Sequence, residues 1–305
     1  MLKIITDNNK IRNNDKHEEN QYLNLIEQII KYGTWKNGRN GNTLSVYGCA
    51  MHFSLENNKI PIMTTKKLAW KTCLRELLWF ISGNTSNETL NKLKVNIWNG
   101  NSSREFLDSR GLNHYKENDL GPVYGFQWRH FNAEYTNCDD NYDNKGIDQL
   151  NEIIECLKDP EKRNSRRMVL SSWNPCQLDK MALPPCHVLM QFNVHDNNKL
   201  SCSMYQRSND EACGTPFNIA SYCFLTHLLA KHCDLEATDF YYYKGDCHIY
   251  ESHLDNIKTQ IYITPYEFPT LIINKKYNNI NDYKEEDFKL DNYIHHENIK
   301  YEMII

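Results

Sequence analysis

One stretch of the sequence places a cysteine where its neighbours could make it reactive. In MALPPCHVLMQF (181–192), Cys186 follows Pro184 and Pro185 and directly precedes a histidine. Each proline fixes φ near about −65° and has no N–H donor, so the backbone before Cys186 is restricted to an extended path. The thiol could be a buried apolar filler, a metal ligand, half of a disulfide or a nucleophile, and this stretch alone leaves all four open.

Arginines in two other stretches could supply the positive charge that a reactive thiol requires. Arg166 and Arg167 begin RRMVLSSWNP, and Arg207 stands in YQRSND together with Ser208 and Asp210. A thiol becomes a nucleophile only where a nearby cation or a helix N-terminus favours its thiolate. The forked guanidinium also suits a phosphate dianion better than an ammonium group does. Together these residues favour an anion-binding site.

The composition narrows the roles of the cysteines. The chain contains 11 of them, an odd number, and its N-terminus lacks the apolar run of a secretory signal. We therefore expect reduced thiols in a cytoplasmic or nuclear protein that is not secreted. No C-x-x-C occurs, and no cysteine pair lies near a His-x(3–5)-His at zinc-finger spacing, so we expect no metal.

Charge and hydropathy argue against two classes of partner. The net charge of −4 argues against a nucleic-acid partner, because domains that bind nucleic acid are usually basic. No stretch approaches the roughly 20 apolar residues that cross a bilayer, so no membrane partner is expected. With 305 residues, of which 40% are apolar, the chain is long enough to bury a sizeable core.

Hydrophobic patterns predict the elements that must position these residues. Helical spacing predicts helices over 22–33, 64–83, 147–158 and 218–233. β-forming residues predict strands over 43–55 and 166–175, and two more within 187–208. We expect an α+β (mixed α/β) single domain over 20–305, with a large, mostly mixed β-sheet packed by helices. The polar, Asn-rich segment 1–19 is predicted to be a disordered tail.

Six motifs follow one another along the chain, namely GPVYGFQWRHF, RRMVLSSWNP, MALPPCHVLMQF, YQRSND, GTPFNIASY and GDCHIY. They are similar to motifs of the thymidylate synthase family and occur in the same order. From about residue 21 to residue 305 the chain resembles that family. The resemblance implies a homodimer whose sheets form the interface. It also implies reductive methylation of dUMP to dTMP, with 5,10-methylenetetrahydrofolate as co-substrate and dihydrofolate as second product, and without a metal.

The resemblance assigns the chemistry to three residues. It implies that Cys186 adds to C6 of uracil, which turns C5 into an enolate-like nucleophile for the one-carbon unit. It implies that Glu76, in LRELLWF, organises water and moves protons, and that Tyr124, in GPVYG, takes part in removing the C5 proton. Glu76 is also a site candidate on physical grounds, because a carboxylate on an apolar helical stripe is costly to bury.

The resemblance also assigns the dUMP phosphate to a set of arginines. It implies that Arg207 and Ser208 hold the phosphate within one subunit, together with Arg39 on a mobile loop. Arg166 and Arg167 match the pair that completes the partner subunit's site. The loop KNGRNGNTLS around Arg39 is one residue shorter than is usual in the family and lacks the acid before the arginine.

Base, ribose and folate contacts follow from the same resemblance. Asn218 reads uracil, since an amide can both donate to O4 and accept from N3–H. The ribose 3′-hydroxyl contacts are His248 and Tyr250. The implied folate residues are Trp98, Asn101, Asp210 and Ile304, with Asp210 assigned to both the dUMP set and the folate set. The C-terminal KYEMII is similar to the apolar end with which the family closes over its ligands.

Two other functions, and the presence of one further domain, are alternatives to this interpretation. A hydroxymethylase of the same superfamily would omit the hydride transfer, but Asn218 disfavours its cytosine version and Trp98 favours reduction. A catalytically silent RNA-binding dimer is disfavoured by the complete nucleophile and phosphate set. Some relatives carry a dihydrofolate reductase on the same chain, and about twenty preceding residues are too few to hold one. The run SNDEACGTPFN departs from the family where folate binds.

Overall fold

The computed structural model describes residues 16–38, 40–196 and 198–304. Along these ranges the chain forms α1 (Asn20–Tyr32), β1 (Thr34–Gly38), β2 (Gly41–Ser54), α2 (Trp70–Ile81), α3 (Asn87–Lys92), α4 (Arg104–Ser109), α5 (Tyr124–His130), α6 (Gln149–Lys158), β3 (Val169–Ser171), β4 (His187–His195), β5 (Lys199–Asp210), α7 (Gly214–His232), β6 (Glu236–Tyr250), α8 (Leu254–Gln260), β7 (Thr270–Ile273) and β8 (Phe288–Asp291). None of the helices in these ranges is long and apolar enough to cross a membrane.

A six-stranded mixed sheet organises the molecule. Its strand order is β1-β2-β6-β5-β4-β3, and β5 and β6 are parallel whereas the other neighbours are antiparallel. Helix α7 connects the two parallel strands and packs against both. It is apolar on nearly all sides and almost wholly buried, as expected for a helix in the middle of a core. A separate two-stranded sheet pairs β7 with β8. The predicted mixed fold is confirmed.

The opposite face of the large sheet is open and aromatic. Tyr242 on β6 is fully buried, whereas its neighbours Tyr241 and Tyr243 are 37% and 41% exposed, because successive side chains of a strand point to opposite faces. Tyr205 on β5 pairs with Tyr243 across the sheet and is exposed on the same face. We call Tyr205, Tyr241 and Tyr243 the aromatic face.

Most predicted elements are present, and two are shorter than predicted. The helix predicted over 64–83 begins only at Trp70. The backbone N–H groups of Thr64 and Thr65 donate to the Glu19 carboxylate, each at 2.9 Å, instead of starting a helix. The strand predicted over 166–175 is limited to Val169–Ser171. It is an edge strand that pairs only with β4, and the asparagine–proline step that follows cannot continue the ladder.

The end of the predicted tail contacts the folded domain. The Glu18 carboxylate accepts hydrogen bonds from the Lys59 ammonium at 2.7 Å and from the Ser54 N–H at 3.0 Å. Glu19 is fully buried on Thr64 and Thr65. A buried carboxylate requires such donors, so these two residues help to hold the start of α1 in place. The remaining residues of the predicted tail, 1–15, lie outside the described residues.

Candidate active site

A cavity of about 740 Å³ opens where the carboxyl ends of β5 and β6 meet the start of α7. Its walls include six of the predicted residues from α2, α5, the loops and β5, namely Glu76, Trp98, Asn101, Tyr124, Cys186 and Arg207. Ser208, Asp210, Asn218, His248, Tyr250 and Ile304 also line it. The cavity therefore gathers residues that are more than 220 positions apart in the sequence.

Two predicted site residues in the described part of the chain are not in this wall. Arg166 and Arg167 precede the edge strand β3, are exposed to solvent, and are absent from the described lining of the cavity. Arg39 lies outside the described residues. Among the described residues, the Arg166–Arg167 pair therefore does not line the cavity that holds Cys186.

The parallel pairing of β5 and β6 explains how the phosphate and ribose candidates come together. Parallel strands end at the same edge of a sheet, so Ser208 lies in register with Asp246, and Asp210 with His248. The strands approach closely here, since a Cβ on Gly245 would lie 2.7 Å from the Arg207 carbonyl oxygen. Only glycine permits that approach.

Cys186 is held by its backbone. Its N–H donates to Tyr124 Oη at 2.8 Å, and its carbonyl accepts from the Arg207 N–H at 3.0 Å. The Arg207 guanidinium donates to the carbonyls of Pro184 and Pro185, each at 2.9 Å. The two prolines thus present carbonyls to the arginine while fixing the approach to the thiol. Burial raises the pKa of the Cys186 thiol, and the nearby Arg207 guanidinium acts in the opposite direction.

Glu76 is a buried carboxylate with a strongly shifted pKa. Burial raises the pKa of this group to about 7, and the hydrogen bond from Trp98 Nε1, at 2.7 Å, opposes the shift. A carboxyl group with a pKa near the working pH can both give and take a proton. The spacing and apolar setting of Glu76 in the sequence had already indicated such a group.

Tyr124 is brought to the thiol by close packing of α5 on α2. Its ring stacks on Phe80 with centroids 4.8 Å apart. A Cβ on Gly125 would lie 2.5 Å from the Phe80 carbonyl oxygen, so a glycine is required for the two helices to approach this closely. The Tyr124 hydroxyl consequently lies against the backbone of Cys186.

A buried hydrogen-bond chain orients the Asn218 amide. Asn218 Nδ2 lies 2.7 Å from His187 Nε2, and His187 Nδ1 lies 2.8 Å from Tyr222 Oη. The amide nitrogen can only donate, so Nε2 accepts and Nδ1 carries the proton. Burial lowers the pKa of His187 to about 4, which keeps the ring neutral. Sequence reasoning missed His187 and Tyr222, although the position of His187 beside Cys186 was a signal.

The C-terminal segment covers one end of the cavity. Residues 298–301, Met303 and Ile304 line it. The Glu302 carbonyl lies 2.7 Å from His253 Nε2, and the Lys300 carbonyl accepts from Asn256 Nδ2 at 3.0 Å. Ile304 is therefore next to the cavity, and its role in closing the site stays a prediction. Ile305 lies outside the described residues.

Lys66 is a lining residue that sequence reasoning missed. Its Nζ donates to the Ala212 carbonyl at 2.6 Å and lies 4.4 Å from the centroid of the Tyr301 ring. Burial lowers the pKa of this ammonium to about 8. The lysine thus connects the loop before α7 to the C-terminal segment. Its place in a threonine–lysine run gave no sign of this contact.

Comparisons with known proteins place the chain in a family. A family model described as "Thymidylate synthase" matches residues 20–305. A bifunctional dihydrofolate reductase-thymidylate synthase of Zea mays is 50% identical over 293 residues, which cover 95% of this chain and 55% of that protein. The protein of that name in Leishmania major is 49% identical over 291 residues, covering 95% of this chain and 56% of that protein. The chain belongs to the thymidylate synthase family.

The relatives are longer than this chain. The Plasmodium berghei protein of the same name is 50% identical over 301 residues, which cover 97% of this chain and 50% of that protein. The chain thus spans about half the length of the curated relatives it matches. The resemblance inferred from the six motifs is confirmed.

Proposed function

We propose that this protein catalyses the reductive methylation of dUMP to dTMP, with 5,10-methylenetetrahydrofolate as one-carbon and hydride donor. The observation that carries the proposal is the meeting of Cys186, Arg207 and Asn218 in one cavity with the buried carboxyl of Glu76. A thiol beside a guanidinium can add to a ring carbon, and an amide can recognise the edge of a uracil. The four groups are those that this reaction requires.

The proposed path begins with the base held at Asn218 and the phosphate at Arg207, Ser208 and Arg39. The Cys186 thiolate adds to C6, and the negative charge passes to C5 and O4, which makes C5 a carbon nucleophile. C5 then bonds to the methylene carbon of the folate as the bond from that carbon to one folate nitrogen breaks. Removal of the C5 proton, assigned to Tyr124, expels the second folate nitrogen and leaves an exocyclic methylene on C5. Hydride transfer from the released tetrahydrofolate completes the methyl group as the Cys186–C6 bond breaks, and the folate leaves as dihydrofolate.

The remaining roles are proposed on the same basis. Glu76 moves protons near O4 and the folate, which suits a group whose pKa is raised to about 7. His248 and Tyr250 bind the ribose 3′-hydroxyl. Folate is assigned to Trp98, Asn101, Asp210 and Ile304, with Asp210 shared between the two ligands. The proposed chemistry needs a thiolate and a folate and uses no metal.

Mass spectrometry of the product tests the proposed reaction. The chain is incubated with dUMP and methylenetetrahydrofolate, and we expect a nucleotide heavier by one CH₂ together with dihydrofolate. A reaction without folate is the control. A hydroxymethyl product would instead identify the hydroxymethylase of the superfamily. Retained dUMP binding without turnover would favour a catalytically silent dimer.

We also propose that the protein is a homodimer formed through the aromatic face. Tyr205, Tyr241 and Tyr243 expose adjacent rings on an open sheet, and contiguous apolar surface of this kind marks protein contacts. Exposed Arg166 and Arg167 precede the edge strand of the same sheet, and they are not among the described residues that line their own cavity. A second copy stacked on this face could receive the pair in its phosphate site.

Mixing two defective variants tests the shared site. Arg167→Ala should lower turnover by about 10- to 150-fold, the effect of losing one charge-assisted hydrogen bond to phosphate. If the arginine serves the partner, a heterodimer of Arg167→Ala and Cys186→Ser chains contains one intact site. Equal mixing should then restore about a quarter of the unmodified activity. Subunit exchange proved by mass spectrometry, without recovered activity, would contradict the shared site.

The C-terminal segment is proposed to close over bound folate. Deletion of residues 304–305 should lower turnover by about tenfold or more, because closure excludes water from the reacting groups. The affinity for dUMP, measured by calorimetry, should change by less than about twofold, since its proposed contacts lie elsewhere. A two-residue deletion elsewhere on the surface, such as Lys275–Lys276, would be a closer match, but it would remove the ion pair between Lys276 and Asp234. The control is therefore the substitution Lys289→Ala on β8. Full turnover after the deletion would show that the segment is not a lid.

A cytoplasmic or nuclear location is proposed from the state of the thiols. All eleven cysteines lie in the described part of the chain, and all are free. Free thiols in this number are typical of a reducing compartment.

A further inference from the structure

Three side chains, two of which line the cavity, form a cluster with the chemistry of a metal site. Asp210 ends β5, Cys213 directly precedes α7, and His253 directly precedes α8. One ligand atom of each lies within 4.8 Å of the other two. Of the residues that the structure describes, no other three His, Cys, Asp or Glu side chains are grouped in this way. We call these residues the Asp210–Cys213–His253 cluster.

His253 directs an unused lone pair into the cluster. The ring is 1% exposed, and its Nε2 lies 2.7 Å from the Glu302 carbonyl, which can only accept a hydrogen bond. Nε2 therefore carries the proton, and Nδ1 of the neutral ring is a bare acceptor. No described residue donates a hydrogen bond to this buried Nδ1, which lies 3.9 Å from Asp210 Oδ1. A buried acceptor without a donor is unfavourable unless something else satisfies it.

The surroundings of the cluster match those of metal-bound side chains. Histidines that bind metals generally donate the other ring N–H to a carboxylate or a backbone carbonyl, as His253 does to Glu302. Bound carboxylates are in turn held by hydrogen bonds, and Asp210 Oδ1 accepts from the Ala212 N–H at 2.9 Å. Two of the three ligands are thus already oriented by groups outside the cluster.

We propose that the Asp210–Cys213–His253 cluster binds a zinc-class divalent cation, leaving one coordination position open. One sulfur, one imidazole nitrogen and one carboxylate oxygen form a ligand set of zinc rather than of magnesium or calcium, which prefer oxygen alone. Binding forms a bond between Cys213 sulfur and the metal, and the thiol proton passes to solvent. No oxidant or reductant is needed.

The geometry requires a small contraction. Ligands of a tetrahedral zinc are about 3.3–3.7 Å apart, so the three atoms must close by up to roughly an ångström. Cys213 and Asp210 stand on a short loop between a strand and a helix, where side-chain rotation can supply this. The Lys66 ammonium donates to the Ala212 carbonyl of the same loop, so a positive charge already lies near the cluster. Because this charge repels a second cation, a metal that also forms a strong bond to sulfur is favoured over one held by charge alone.

This site departs from the expectation of no metal drawn from the sequence. That expectation rested on the absence of zinc-finger spacing. Here Asp210 and Cys213 are three residues apart, and His253 lies forty residues after Cys213. Tertiary structure alone brings His253 to the other two. A bound cation would hold Glu302 and the C-terminal segment in place through His253. If the proposed function is correct, it would also compete with folate for Asp210.

Cobalt titration tests the binding without relying on turnover. The metal-free full chain is titrated with Co²⁺ alone, whose bond to a thiolate produces an intense near-ultraviolet charge-transfer band. We expect the band to saturate at one cobalt per chain, to be lost in Cys213→Ser, and to require at least about tenfold more cobalt in His253→Gln. Glutamine keeps a donor for the Glu302 carbonyl and removes the imidazole. Cys176→Ser, at an exposed thiol outside the cavity, is the matched control and should retain the band.

Three results would overturn the proposal. The first is a band that survives in Cys213→Ser or disappears in Cys176→Ser or Cys186→Ser, since cobalt would then be bound by another thiol. The second is the absence of a band at stoichiometric cobalt, and the third comes from alkylation. Thermal unfolding confirms that each variant is folded. On the unmodified chain, Zn²⁺ should protect Cys213 from alkylation, and unchanged labelling would equally contradict the site. Inhibition by Zn²⁺ that is competitive with the folate tests only the consequence for turnover.

Discussion

Replacing Cys186 with serine is expected to reduce dTMP formation by about a thousandfold or more, the scale on which enzymes lose activity without their nucleophile. A serine hydroxyl is far less nucleophilic than a thiolate at neutral pH, and nothing else in the proposed mechanism can add to C6. The backbone contacts of the residue to Tyr124 and Arg207 do not involve the side chain, so they should persist. The affinity for dUMP should therefore change little.

Two measurements separate loss of the nucleophile from loss of the fold. Intact-protein mass spectrometry should show a covalent adduct with 5-fluoro-dUMP and folate in the unmodified chain and none in Cys186→Ser. Cys176→Ser, which makes the same change at an exposed thiol outside the cavity, should retain both turnover and adduct. Normal turnover by Cys186→Ser would contradict the proposed mechanism.

Exchange of Asn218 for aspartate is expected to lower dUMP turnover by about a hundredfold or more and to shift preference toward dCMP. The amide can donate to O4 and accept from N3–H, whereas a carboxylate only accepts and is repelled by O4. It would also require a proton on His187 Nε2, so the neutral ring would have to carry its proton there instead of on Nδ1, with the Tyr222 hydroxyl donating to Nδ1. A modest loss of stability should accompany the change in specificity.

Competition between dUMP and dCMP tests the role of Asn218 in recognising the base. Turnover of an equimolar mixture of dUMP and dCMP is followed by mass spectrometry, and the ratio of consumed substrates is compared with that of the unmodified chain. Asn278→Asp, the same chemical change at an exposed position outside the cavity, should leave the ratio unchanged. An unaltered ratio in Asn218→Asp would refute its role in reading the base.

Local patterns were sufficient for most elements. Apolar spacing predicted the helix at 147–158 and the strand pair within 187–208, because periodicity and turn residues are written in neighbouring positions. The same spacing overestimated the helix at 64–83. There the carboxylate of Glu19, 45 residues away from Thr64, takes the N–H groups that a helix would have used. A contact between residues so far apart in the sequence does not change the spacing of apolar residues, so that spacing cannot predict it.

The candidate site, like the fold, could be predicted only in part from the sequence. Motifs identified Cys186, Arg207 and Asn218 because each stands among neighbours that characterise a family. The contacts of His187 and Lys66 in the cavity were not predicted, since a lone histidine or lysine has the same appearance in the sequence whether it is buried or solvated. Their partners come from other elements.

The sequence by itself determined the family, the mixed fold and the identity of the candidate nucleophile, because these depend on residue types in order along the chain. Only the tertiary structure decided which groups share a cavity. Parallel β5 and β6 end side by side and bring Asp210 opposite His248, and the turn after β6 carries His253 to Cys213. It also left Arg166 and Arg167 exposed, away from the described wall of their own cavity. Distances of this kind arise from the pairing and packing of whole elements, which no single stretch of sequence encodes.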